Sequence, residues 1–170
     1  MATPWIDIHI GIGQSTGPYQ QRHWLLILSP HNNTTDCIFI HVTGGPAAYE
    51  HCIEPYQSIQ SHPFAYLSRI GTVPPIFYTS ILQICLDTAP RRCQEYIVSI
   101  LEDLEKRRFT PPGIAAFYEE QSRFSMWEVS CRVAEQANAG MGVSPADFVE
   151  LGDLARGVGL SSLEYCTCFF

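Results

Sequence analysis

No Cys-x-x-Cys pair occurs among the seven cysteines (Cys37, Cys52, Cys85, Cys93, Cys131, Cys166 and Cys168), so the standard zinc motif is missing. Their number is odd and their spacing irregular, which is not the pattern of a disulfide framework; reduced thiols in the cytoplasm are the expectation. The opening MATPWIDIHI lacks the basic region and apolar run of a secretory signal. No apolar stretch approaches the length of a membrane span. The ending Tyr-Cys-Thr-Cys-Phe-Phe is not a prenylation box, because Thr167 stands where the cysteine would have to be. Basic residues are also scarce. With a net charge of −7 and no basic run beyond Lys106 to Arg108, the chain lacks the concentrated positive face that a nucleic-acid partner requires. Gly11-Ile12-Gly13-Gln14-Ser15-Thr16-Gly17 falls short of a dinucleotide fingerprint. Thr16 occupies the third glycine position, and Pro18 follows where a helix should begin. No cofactor and no metal are expected from these motifs.

What is present describes a globular α+β protein. Apolar residues make up 46% of the 170 and charged residues 16%, enough for one domain with a substantial core over 1–170. Ile6, Ile8, Ile10 and Ile12 alternate with Asp7 and His9, as in a half-buried strand. His23 to Leu28 and Cys37 to Val42 read as two further strands joined by the polar loop 29–36, hence as an antiparallel hairpin. If residue 28 stands opposite residue 36, His23 faces His41 on one side of the sheet. Thr43-Gly44-Gly45-Pro46 reads as a sharp loop. Residues 47–63 show no clean period and read as a loop with a short helix. Phe64 to Val73 reads as a fourth strand, and Ile76 to Leu86 fits either a strand or a helix.

The clearest helix is PRRCQEYIVSILEDLEKRR, Pro90 to Arg108. Cys93, Ile97, Ile100, Leu101 and Leu104 recur on one face, with Glu95, Glu102, Asp103, Glu105 and Lys106 opposite. Asp87 or Thr88 is expected to cap it, with Pro90 in the first turn. A second long helix is expected over 114–138, its inner side formed by Phe117, Phe124, Trp127, Cys131 and Ala134. A third is expected from Ser144 to about Arg156. The chain thus divides into a sheet-rich part (5–73), a helix-rich part (76–157) and an irregular tail (160–170). Strands first and helices after suggest an antiparallel sheet packed against helices.

Cys93 carries the chemistry in this reading. It lies on the packing face near a helix N-terminus, beside Arg91 and Arg92, and both features favour thiolate over thiol. A cysteine on an apolar helix face is also an ordinary core residue. A cysteine at a helix start, packed on a sheet that bears a histidine, is the arrangement of papain-like chemistry. There the histidine accepts the thiol proton, and a third polar group orients the imidazole. Cys93 would be nucleophile, His23 base and His41 the orienting partner. Papain-type enzymes run cysteine before histidine, so the order here is that of a circular permutation.

The segments RHWLLIL, CIFIHVTGG and RRCQEYIV resemble the permuted papain-like group that includes lecithin–retinol acyltransferase. They also resemble small fungal proteins with His-Trp, His-Val-x-Gly and Asn-Cys-Gln-x-Trp-Val segments, some of which sit among genes for natural-product pathways. The resemblance covers about residues 22–105. It implies the circularly permuted papain-like fold and the triad His23, His41 and Cys93. Two positions depart from it: Arg92 stands where Asn is usual, and Tyr96 where Trp or Phe is usual. Trp24, Thr43, Gly44, Arg92 and Tyr96 flank the triad and are the candidates for holding a substrate.

The expected function is a cysteine-dependent acyl hydrolase or acyltransferase acting on a small apolar ester, thioester or amide. The alternative is a cofactor-free small-molecule cyclase or isomerase of fungal secondary metabolism that uses the same cleft by orientation alone. A non-catalytic binding protein is the third reading.

Overall fold

The computed structural model describes residues 5–14 and 22–123. Five strands form one antiparallel sheet: β1 (Ile6–Gly13), β2 (Trp24–Pro30), β3 (Cys37–Gly45), β4 (Ala48–Gln57) and β5 (Phe64–Val73), in the order β4-β3-β2-β1-β5. Two helices follow, α1 (Tyr78–Asp87) and α2 (Cys93–Lys106), and residues 114–123 form a third, α3. The architecture is α+β with the helices after the sheet, as the order of sequence patterns implies.

The alternation of side chains sorts β2 into two cores. Trp24, Leu26 and Leu28 join Ile8, Ile10, Ile40 and Val42 in the main core, shared with α1, α2, Ala115 and Tyr118. Leu25 and Ile27 join Cys37, Phe39, Ile59 and the flanking Phe64 in a smaller core on the opposite face. As the central strand, β2 is apolar from Trp24 to Leu28 because both of its faces are covered. α2 seats Ile97, Ile100, Leu101 and Leu104 in the main core, each fully buried and each contributing about 1.5–3 kcal/mol. Tyr118 of α3 meets Trp24 edge-on, with ring centroids 5.7 Å apart.

Several expectations are corrected. The β2–β3 register pairs Leu28 with Ile38 rather than with residue 36. Residues 48–57 are a strand, not a loop. As an edge strand it exposes alternate residues and so carries no core pattern, and it accommodates Pro55. Gly44 and Gly45 belong to β3, and the turn is at residues 46–47. Gly44 has φ +89°, and a Cβ there would lie 2.1 Å from the Ala48 carbonyl oxygen, so only glycine fits. The ambiguous stretch 76–86 resolves into a 3-10 turn, Pro75–Phe77, and the helix α1. α2 starts at Cys93, and its cap position is Arg92, with no side-chain cap bond. Thr88 instead closes α1, its hydroxyl donating to the Ile84 carbonyl at 2.8 Å. On α3 the buried side chains are Ala115 and Tyr118, while Phe117 is exposed. The expected continuation to residue 138, the helix 144–156 and the tail lie outside the described residues.

Candidate functional site

His23 immediately precedes β2, and His41 sits in the middle of β3. The observed register differs from the expected one by two residues, which leaves every side chain on the same face. The two rings therefore still meet. His23 Nε2 lies 3.1 Å from His41 Nδ1, with ring centroids 4.8 Å apart and planes at 86°. Ile40 and Val42 face the helices, so His41 between them points to the opposite face, with Phe39. His41 is fully buried. Burial, followed by the charge of His23, pushes its pKa down to about 4 despite an opposing backbone hydrogen bond at Val42. It is therefore neutral near pH 7, with one ring N–H to place.

The other ring nitrogen of His41, Nε2, is 3.8 Å from Glu54 Oε1. Cys52 is the cross-strand partner of His41, and its thiol donates to Glu54 Oε1 over 3.9 Å. Potential ligand atoms of His41, Cys52 and Glu54 all lie within 4.8 Å of one another. His62 stands beside them, its ring 5.3 Å from that of Phe39 and 4.6 Å from that of Phe64. Burial lowers its pKa; the Glu54 carboxylate opposes that shift and His23 adds to it.

Cys93 is the first residue of α2 and is fully buried in the main core, with Trp24, Ile40 and Val42 among the members of that cluster. The next residue, Gln94, donates its amide to the carbonyl of Arg22 at 3.0 Å. One hydrogen bond therefore ties the residue after Cys93 to the residue before His23.

The expected substrate-holding residues divide. Trp24 is buried against Tyr118. Tyr96 is fully buried and donates its hydroxyl to the Cys85 carbonyl at 2.8 Å; burial pushes its pKa far up. These two hold the core together. Arg92 is half-buried and pairs with Glu95 at 3.6 Å. Thr43 and Gly44 lie in β3, opposite Glu50 and Tyr49 of β4.

The remaining histidines have the following partners. His9 Nε2 is 3.1 Å from Ser29 Oγ, and His31 Nδ1 is 3.0 Å from the Asp7 carboxylate. His51 Nε2 lies 2.8 Å from the Thr88 carbonyl, which can only accept, so that nitrogen bears the proton. Sequence reasoning missed Cys52, Glu54 and Gln94. A signal for the first two existed in the alternation of Tyr49, His51 and Ile53 with Glu50, Cys52 and Glu54, which places Cys52 and Glu54 on one side of a strand. A largely apolar cavity of about 260 Å3, lined by Ile6, Leu28, Ser29, Pro30, Asp36, Ile38, Pro75 and Tyr78, lies toward the other end of β2 from His23. Among the described residues no helix is long and apolar enough to cross a membrane.

Neither a family model, nor a curated protein, nor a solved structure matches this chain.

Proposed function

We propose that the chain is a cysteine-dependent acyl hydrolase or acyltransferase of permuted papain-like type, acting on a small apolar ester, thioester or amide. The observation that carries the reading is the His23–His41 pair at 3.1 Å, joined to the start of α2 by the bond from Gln94 to Arg22. Cys93 is the nucleophile. His23 uses Nε2 toward His41. His41 lies on the face opposite the helices and Cys93 on the helix face, so in this reading His23, just before β2, reaches round the end of the strand and takes the thiol proton on Nδ1. In that tautomer His23 Nε2–H donates to Nδ1 of neutral His41, whose own N–H is on Nε2, toward Glu54. His41 thus holds the imidazole of His23 in orientation and tautomer.

The thiolate attacks the carbonyl carbon, forming a C–S bond and a tetrahedral oxyanion. Backbone N–H groups of the first turn of α2 have no intrahelical acceptor and suit that charge. Collapse of the oxyanion expels the alkoxide, thiolate or amine, which takes the proton back from His23. Water or an amine then resolves the thioester. The test is turnover of an acyl-substrate panel by wild type, Cys93→Ala and His23→Ala. Loss of turnover in both variants with little loss of stability is expected; full activity in Cys93→Ala refutes the assignment.

The complete burial of Cys93 in an apolar cluster favours a second reading. In it the thiol is packing, and the protein orients a flexible apolar substrate for cyclisation or isomerisation. That reading expects Cys93→Ala to slow the reaction without stopping it, and no acyl adduct on Cys93 during turnover.

A further inference from the structure

We infer that His41, Cys52 and Glu54 form a binding site for one zinc-class divalent transition-metal ion, on the sheet face opposite the helices. The β3–β4 register creates it. Cys52 is the direct partner of His41, and Glu54 follows two residues later on the same side of the strand. The donor set is one imidazole nitrogen, one sulfur and one carboxylate oxygen, which suits a borderline-soft ion and not calcium or magnesium.

The distances allow it. Bond lengths of about 2.0–2.3 Å in a tetrahedron put neighbouring ligand atoms about 3.3–3.6 Å apart. Here His41 Nε2 is 3.8 Å and Cys52 Sγ 3.9 Å from Glu54 Oε1. A contraction of a few tenths of an ångström suffices for the two pairs that involve Glu54; the third pair, His41 with Cys52, lies within 4.8 Å and closes by side-chain rotation of up to about 1.3 Å. Three protein ligands leave a fourth position for water.

Charge and orientation agree as well. An ion of charge +2 is balanced by a Cys52 thiolate and the Glu54 carboxylate, with His41 neutral. Binding breaks the S–H bond, forms a metal–sulfur bond and releases the proton to solvent. An imidazole that binds a metal through one nitrogen normally bonds a second group through the other, which fixes its tautomer. His41 has that partner already: Nε2 faces Glu54 and Nδ1 lies 3.1 Å from His23 Nε2. The edge strand β4 bears two of the ligands, so the ion also clamps an otherwise exposed hairpin to the sheet. None of this depends on Cys93 acting as a nucleophile.

The test is titration of the full chain, stripped with a chelator, with cobalt(II) and then with zinc(II) in competition. Absorbance reads the thiolate-to-cobalt charge transfer and the tetrahedral d–d bands. One cobalt per chain is expected, with a charge-transfer band that zinc removes. Cys52→Ser loses the band, Cys93→Ala keeps it, Glu54→Gln keeps it with at least ~10-fold weaker binding, and His23→Ala weakens binding by ~10–100-fold. Circular dichroism of each stripped variant separates loss of the site from loss of the fold. Absence of the band in folded wild type overturns the inference, as does a band that survives Cys52→Ser and disappears in Cys93→Ala.

Discussion

Replacing Gln94 with leucine separates what holds the fold from what positions the site. The substitution keeps the side-chain bulk and removes the 3.0 Å bond from Nε2 to the Arg22 carbonyl. A neutral hydrogen bond contributes about 0.5–1.5 kcal/mol net, and Arg22 is exposed, so water can replace the lost donor. The same change removes Gln94 Oε1, a buried acceptor with no partner among the described residues, and that removal is favourable. The two effects oppose each other. The expected change in stability is under about 1 kcal/mol, a shift of no more than about 4 °C in melting temperature for a chain of this size. The effect on reactivity should be larger. The bond fixes the start of α2 against the residue before His23, and a displacement of about 1 Å at such a site costs on the order of 100-fold. The assay is mass-spectrometric iodoacetamide labelling of Cys93 across pH, alongside thermal melts. Labelling near neutral pH is expected to fall by ~10–100-fold, with the inflection moving toward the ordinary thiol value of about 8.5. Wild-type labelling and a wild-type pH profile in a variant with an unchanged melt would refute the reasoning.

Three further outcomes are expected. Tyr96→Phe leaves the Cys85 carbonyl, in the last turn of α1, without its 2.8 Å donor; it should lose about 1–3 kcal/mol in urea unfolding, and an unchanged midpoint contradicts that. Burial acts to raise the pKa of Asp7, but hydrogen bonds from Thr72 and His31 and the charges of His31 and Arg69 outweigh it and hold the carboxyl below its usual 3.8. A depressed folded pKa means that its stabilisation is present above the unfolded value and lost as pH falls through the folded one. Urea midpoints should therefore drop below about pH 4 in wild type and drop less in Asp7→Asn; parallel curves would refute this. Zinc bound at His41 Nε2 places the remaining proton on Nδ1, which then donates to His23 Nε2 and moves the His23 proton to the nitrogen that must accept from Cys93. Zinc should accordingly slow Cys93 labelling in wild type and not in Cys52→Ser; an unchanged wild-type rate at saturating zinc refutes the coupling.

The helix bearing Cys93 was legible because its apolar face recurs without interruption from Ile97 to Leu104. Its start was not, because Pro90 suits the first turn of a helix as well as the extended approach that residues 89–92 make. The histidine pair could be anticipated even though the pairing was off by two, since side chains alternate with period two and only an odd slip would part them. β4 escaped notice for a different reason. An edge strand with one neighbour has little buried surface, so AYEHCIEPYQ carries polar residues on both sides and a proline, and its pairing is set by β3 rather than by its own pattern. The Cys52–Glu54 side of the site was missed with it, the alternation over residues 49–54 being its one local signal. The tie from Gln94 to Arg22 joins residues 72 apart in sequence and has no local signature.

The central claim is that Cys93 and His23 act as a pair, and the most direct measurement is the rate of Cys93 alkylation against pH in wild type and in His23→Ala. Rapid labelling well below about pH 8.5 in wild type, lost in His23→Ala, is the predicted result. Labelling that is slow at every pH, or indifferent to the loss of His23, would contradict it and leave Cys93 as a packing thiol.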